Sequence, residues 1–477
     1  MLHKLSFRWN TILFLILLSF FVGTISAFFP FYLFVLVLFM FFIYYFYHDI
    51  NNTFLYMFFL LLLQPIVSYN IDVLGIPLKI RTALNRVDEV VWFFFLFVLL
   101  AKGFDYNRWI IRRTGLEIPA TLFLVSGILS MIINRTNFFW SVIAMLLALK
   151  GIIIYLVAIN LNFTIENVIT FYKRVFYFFL LAFLIGLLQF LGVNIPLLPE
   201  QTRLGVKVAS SIFGHHAIFG LVMAIGYSLT TGIYLANRKK KWIVLSIVFL
   251  MGIIISSVRK SLLGIILGTL FVFLNHRTLR INKRDIYAGV GLMLILFALF
   301  YNRFSDLIQG TQKEYVRNVE VSPRFLLYYG AFRILQNKPL TGEGPGRYGS
   351  YVSVVTKSNI YRKYGVEMPD RFKVDTYWAY IAGEYGIPGI LFIILILAAL
   401  FKNLFALARE DITNDLIRGL IIGNIMLFVE FFVESPTIGI YKLSLPAFVL
   451  FGGTGILESL IYYRGSGRSF LLTKNGE

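Results

Sequence analysis

The 477-residue chain has no cysteine at all, which excludes disulfides, thiolate catalysis and cysteine-based metal sites together. Charge is scarce too: Asp, Glu, Lys and Arg make up 14% of the residues, where a soluble domain carries roughly a quarter. What charge there is leans one way, with 44 Lys and Arg against 24 Asp and Glu and a net charge of +20. Only 13 prolines and 37 glycines stand beside 50 phenylalanines, which fits an aromatic-filled helical bundle better than a barrel. No Walker A motif, paired-histidine metal motif or G-x-S-x-G elbow occurs, so ATP-driven and zinc-dependent chemistry are not expected. His215 and His216 are adjacent and diverge by about 100° on a helix, which argues against a metal pair. Neither a metal nor a cofactor is expected, and nucleic acid is not an expected partner.

What is present is apolar length: 58% of the chain is hydrophobic. Runs such as Phe178 to Val193 and Trp242 to Ser257 lack the polar face of a soluble helix and suit lipid. The stretch from Thr11 to Phe29 follows Lys4 and Arg8 like a signal peptide, but it is long enough to span, lacks a small-residue cleavage site and reads as an anchor. Hydropathy predicts an all-α polytopic membrane protein of about fourteen transmembrane helices. They are placed at 11–29, 31–47, 54–69, 88–102, 116–133, 138–160, 175–193, 212–236, 242–257, 260–275, 285–301, 375–401, 415–434 and 436–463. Residues 1–301 then hold eleven helices, 302–373 one large loop, and 374–477 three helices and a tail.

Under this count the basic groups of the short loops, including Arg112, Arg113, Arg238 to Lys241, Arg277, Arg280, Lys283, Arg284, Lys402 and Arg409, fall on one side. The positive-inside rule makes that side cytoplasmic, with both termini inside. The long loop lies opposite, and it is basic as well, with twelve Lys and Arg against six Asp and Glu from Arg303 to Lys373. Long loops escape the charge rule, so this excess asks for another purpose. Arg259, in a turn too short to stand clear of the bundle, reads equally as an anchor or as a functional group. Arg203 at a helix approach is an ordinary snorkelling position.

Within the predicted spans lie Lys150, Glu384, Glu430, Glu434 and Lys442. A charge at mid-membrane costs about 2.5–3.5 kcal/mol, so such groups pair or face a polar cavity. Glu434 and Lys442 lie close enough to a span end to reach water, whereas Lys150 and Glu384 are deeper.

Four local patterns in order carry a family resemblance. They are an arginine-and-glycine segment leading into a phenylalanine-containing span start (Arg203 to Phe213), an S-x-R-x-S turn (Ser257 to Ser261), an Arg, aromatic, Pro and glycine cluster (Pro323 to Gly349), and an exit with E-x-G-x-x-G (Asp375 to Gly389). Together they resemble the O-antigen polymerase and ligase superfamily of integral membrane glycosyltransferases. The resemblance implies a GT-C-like membrane fold with one large extracytoplasmic loop, in the bacterial cytoplasmic membrane. It implies a metal-independent enzyme that moves glycan from an undecaprenyl-diphosphate carrier to an acceptor hydroxyl. Membrane lipid, a chain-length regulator and a flippase are the expected partners.

By the same resemblance Arg203 and Arg259 hold the diphosphate; Arg324 and Arg347, flanking Gly342, Gly344 and Gly346, add to this or bind glycan. The three glycines read equally as a phosphate-contacting loop or as a surface turn that needs positive φ. Asp375 is the candidate general base, equally readable as a helix N-cap; Glu384 is the alternative, deeper base, more readily structural. Tyr351, Tyr361, Tyr364, Tyr377 and Trp378 stand among the loop charges, where their faces could stack on sugars. Ligases of the superfamily carry a histidine where this chain has Asp375, which favours a polymerase of surface polysaccharide. The alternatives are a ligase acting on a lipid A core or other acceptor, and a flippase or small-solute transporter.

Overall fold

The computed structural model describes residues 49–69, 91–92, 95–96, 114–193, 195, 198, 201–203, 206–285, 289, 291 and 322–461. The predicted spans at 11–29 and 31–47, most of those at 88–102 and 285–301, and the first part of the long loop lie outside the described residues. Two compact units are present, Met1–Met57 and Phe58–Glu477. Of the first, the described part is the start of helix α1 (Ile50–Tyr69), where Asp49 accepts the Asn52 backbone N–H at 3.1 Å. Everything below concerns the second.

Its elements follow in order: α2 (Glu117–Ile133), α3 (Phe138–Ala148), α4 (Lys150–Asn160), α5 (Ile165–Phe190), a hairpin of β1 (Gln201–Arg203) and β2 (Val206–Val208), α6 (His216–Asn237), α7 (Lys240–Ser256) and α8 (Arg259–Leu274). After the undescribed segment come α9 (Pro323–Asn337), α10 (Tyr351–Val355), α11 (Ile360–Lys363), α12 (Tyr377–Leu407), α13 (Asp415–Glu434) and α14 (Ser444–Ile461), the last with a π-helical turn at Phe448–Gly452. Side-chain caps start several of them. Asn137 accepts from Trp140 N, Thr164 from Asn167 N, and Asn414 from both Leu416 N and Ile417 N; Pro323 opens α9, where its missing N–H is no loss.

Helices α6, α8 and α13 pack closely because small residues line their seams. A Cβ on Gly232 would stand 2.3 Å from the Gly423 nitrogen, and one on Gly419 2.3 Å from the Ile233 Cα. Backbones in such contact gain dispersion where lipid offers no hydrophobic drive between helices.

The fold is all-α and polytopic, but the expectation of about fourteen spans is overturned. Among the described residues five helices are long and apolar enough to cross a membrane, or six if the bent pair α3 and α4 forms one span. Hydropathy measures apolar length and is blind to where helices stop. The runs at 116–133, 242–257 and 260–275 form helices of 17, 17 and 16 residues, about 24–26 Å of rise against a hydrocarbon core of about 30 Å. Helix α7 stops because Ser257 adopts a left-handed conformation at φ 57°, and α8 begins two residues later. The run at 138–160 bends by 57° between α3 and α4, and that at 436–463 becomes the helix α14 only from Ser444.

Helix α12 is broken in a way that positions the site. Gly386 lies at φ 68° and ψ −161°, a region only glycine occupies readily. Its turn is completed from outside, since Ile387 N donates to Pro339 O at 2.8 Å. A Cβ at Gly386 would meet that carbonyl at 2.6 Å. Gly386→Ala is therefore expected to cost about 1–3 kcal/mol from backbone strain alone, read as a lowered unfolding midpoint of the purified protein in detergent.

Candidate functional site

The described part of the long loop is a folded cap with its own core. Leu327, Ala331 and Ile334 of α9 pack with Tyr348, Ile360, Tyr361, Tyr364 and Val366, and with Ala379 and Ala382 of α12. Polar side chains in this core are matched. Tyr348 donates to Leu327 O at 2.6 Å, and the Tyr361 hydroxyl accepts Gly349 N at 2.8 Å and pairs with the Ser353 hydroxyl at 2.7 Å. Tyr361, Tyr364 and Tyr377 are buried, while Tyr351 remains exposed and Trp378 donates to Ser435 Oγ at 2.8 Å.

The glycine cluster runs back over α12. Gly342, Gly344 and Gly346 have φ of 57°, 101° and 82°. Glu343 N donates to Gly383 O at 2.8 Å and Gly344 N to Glu384 O at 3.2 Å. The Glu384 carboxylate, fully buried, accepts Gly346 N at 2.7 Å and Tyr348 N at 3.1 Å. The turn is also tied to the end of α2: Ser130 Oγ donates to Thr341 O at 2.5 Å and Asn134 Nδ2 to Gly342 O at 3.1 Å. Glu343 holds the other edge, receiving Lys363 at 2.7 Å, Lys338 at 3.2 Å and the Tyr364 hydroxyl at 2.7 Å. Burial pushes its carboxyl up, but these three donors hold it below the usual carboxylate range. Arg347, just past the cluster, points to Asn359 at 3.3 Å.

Where the cap meets the bundle, cations from three segments act on Asp375. Arg324 from the first turn of α9, Lys442 from the turn before α14, and Lys260 from the first turn of α8 all act electrostatically on its half-buried carboxyl. Burial pushes Asp375 above the usual carboxylate range, and the three cations draw it partly back. The N-cap of α12 is Thr376, with no side-chain cap bond. Lys442 donates to Val374 O at 2.9 Å and Gly349 O at 3.0 Å, and sits 4.8 Å from the Tyr380 ring centroid. Burial pushes its ammonium down to about 8, against the pull of Glu384 and Asp375. Lys260 pairs with Glu434 at 3.1 Å, and Glu434 also accepts Ser261 Oγ at 2.5 Å.

Arg259 is half-buried beside Lys260 at the start of α8. Arg203 ends β1, in register with Val206; its side chain lies outside the described part. The segment after the hairpin is fixed to the same end of the bundle as α8, because Ala209 N donates to Ile255 O at 3.1 Å and Gln189 accepts Ser211 N at 2.7 Å. The sequence patterns miss Lys260, which adjoins Arg259 in the S-x-R-x-S turn, and they place Lys442 as a span-end lysine reaching water, whereas it is a buried clasp on the Asp375 turn.

A polytopic membrane protein with a folded cap over a mixed-charge site defines the class. Residues 244–394 match the family model described as O-antigen ligase, a range holding the S-x-R-x-S turn, the glycine cluster and the α12 entrance. The match supports membership in the O-antigen polymerase and ligase superfamily, and with it a membrane enzyme acting on lipid-linked glycan. No curated protein matches the chain at a significant level.

Proposed function

We propose that the protein transfers glycan from an undecaprenyl-diphosphate carrier to an acceptor hydroxyl at the cap end of the bundle, and that this end is extracytoplasmic in a bacterial cytoplasmic membrane. The observation that carries the reading is the half-buried Asp375 carboxyl, at the entrance to α12, on which the cations Arg324, Lys260 and Lys442 from three other segments act electrostatically. The opposite end supports the orientation: it gathers Arg238 with Asp285 and Arg280 with Asp411, along with Lys239 to Lys241.

The acceptor oxygen attacks the anomeric carbon, the bond to the phosphate oxygen breaks, and its electrons leave on the diphosphate. The acceptor proton passes to Asp375. Arg203 and Arg259 stabilise the charge growing on the leaving group, as the family pattern implies, through paired charge-assisted hydrogen bonds. Such direct displacement inverts the anomeric centre.

Transfer of ligase type, to a lipid A core or another acceptor, is the leading reading because the matching family model is described as O-antigen ligase. Polymerisation of repeat units is the second, favoured by Asp375 standing where ligases carry histidine. A deletion strain separates them: accumulated undecaprenyl-linked polymer supports the ligase, whereas accumulated single repeat units support the polymerase. For either, Arg203→Ala and Arg259→Ala are each expected to lower glycan transfer about 10²–10³-fold while the protein still inserts. Near-normal surface glycan in both variants would overturn the reading.

A further inference from the structure

Helix α9 carries a second feature that the transfer chemistry leaves unused. Its inner face fills the cap core, but Phe325, Tyr329 and Phe332, spaced four and three residues apart on one helical face, are 42%, 43% and 58% exposed. Phe325 and Tyr329 stack at 6.4 Å, and the Arg333 guanidinium lies 5.5 Å from the Tyr329 ring. Three exposed aromatic residues in a row on a 15-residue helix are unusual for a surface meeting water.

The stripe does not end with the helix. The chain continues through Pro339 to Leu340, which is 71% exposed, and Pro339 O is bonded to Ile387 N in the break of α12. From that residue α12 turns its own apolar flank outward, with Ile387 52% and Leu391 51% exposed. Helix α12 is one of the five helices long and apolar enough to cross a membrane, and this exposed apolar flank is the side such a span turns to lipid. The α9 stripe thus runs on through Leu340 to the exposed apolar flank of a helix built to span. At about 22 Å, α9 is too short to cross a bilayer. Arg324 and Arg333 flank the stripe, as cations do on helices that lie in the interface beside anionic headgroups.

We infer that α9 is an interfacial helix, seated with Phe325, Tyr329 and Phe332 among the acyl chains of the membrane leaflet on the cap side. Its occupant is bulk lipid. The consequence for the site, which rests on the transfer reading above, is that Arg324 is held at headgroup depth, where the diphosphate of a membrane-anchored carrier stands.

The absence of cysteine gives a direct test, because every introduced thiol is unique. Single variants Phe325→Cys, Tyr329→Cys and Phe332→Cys are labelled with a nitroxide in the full chain and reconstituted into phosphatidylethanolamine and phosphatidylglycerol vesicles. Collision with oxygen is compared with collision with a water-soluble nickel chelate. Leu391→Cys serves as the lipid reference and the exposed cap residue Glu367→Cys as the water reference. The three stripe positions are expected to show the oxygen-to-nickel ratio of Leu391→Cys. A ratio equal to that of Glu367→Cys at two or more of them overturns the inference, as does nickel access that is blocked by added glycan, the mark of a sugar platform. The readout needs no turnover, so failure of the glycan-transfer reading would leave it standing, and its own failure would leave that reading intact.

Discussion

Glu384→Ala is expected to unfold the cap and with it the site. The carboxylate is fully buried and accepts the backbone N–H groups of Gly346 and Tyr348 at 2.7 and 3.1 Å. Alanine leaves both donors buried without partners, at about 1–3 kcal/mol each, and opens a cavity beside Tyr348, whose ring lies against Gly383. Against a total stability of about 5–15 kcal/mol, a loss of about 2–6 kcal/mol from the two donors is enough to empty the folded population in a marginal protein. Glu384→Gln keeps one acceptor oxygen and presents an amide to the other donor, so it should fall between alanine and the parent. Thermal unfolding of the three purified proteins checks the order. Glu384→Gln matching the parent in stability while losing activity would instead mark the carboxylate as a chemical participant.

Helical class and family were legible because they rest on composition and local order. Apolar runs, scarce charge and a Phe-rich bundle follow from counting, and three of the four patterns that carried the resemblance fall inside the matched range at 244–394. The number of spans was not legible. Ser257 ends α7 by a left-handed turn and Leu149 marks the bend between α3 and α4, and neither residue type announces a stop in a hydropathy profile.

Burial was the harder part of the site. Lys442 and Glu434 stand near the ends of apolar runs, where a long side chain ordinarily snorkels to water. In the fold the Lys442 ammonium turns inward to the carbonyls of Gly349, Val374 and Thr376, and Glu434 turns to Lys260 and Ser261. These partners lie far apart in sequence, Ser261 standing 173 residues from Glu434, which no local pattern encodes. The glycine cluster is the converse case. Its positive φ values are the expected use of glycine, but its N–H groups go to three different acceptors, Lys338 O, the Glu384 carbonyl and the Glu384 carboxylate, and the last two lie on a helix that follows the loop.

Asp375→Asn is expected to remove most of the activity while leaving the fold in place, since Asp375 makes no cap bond to α12 and the cap core lies elsewhere. Loss of a general base lowers rates about 10²–10⁴-fold, and the amide cannot take the acceptor proton. The pH profile gives a second, independent readout. Burial raises Asp375, so its base form is lost as pH falls at a higher pH than for an ordinary carboxylate, and activity should climb with pH through that raised value. Lys442 is pushed down to about 8, so its charge beside Asp375 disappears as pH rises through that value and activity should fall again. The parent enzyme is then bell-shaped. The residual activity of Asp375→Asn should lack the acid limb and keep the alkaline one, because only the first limb reports the carboxyl. Retention of both limbs in the variant, or activity within a few-fold of the parent, would place the proton acceptor on another residue.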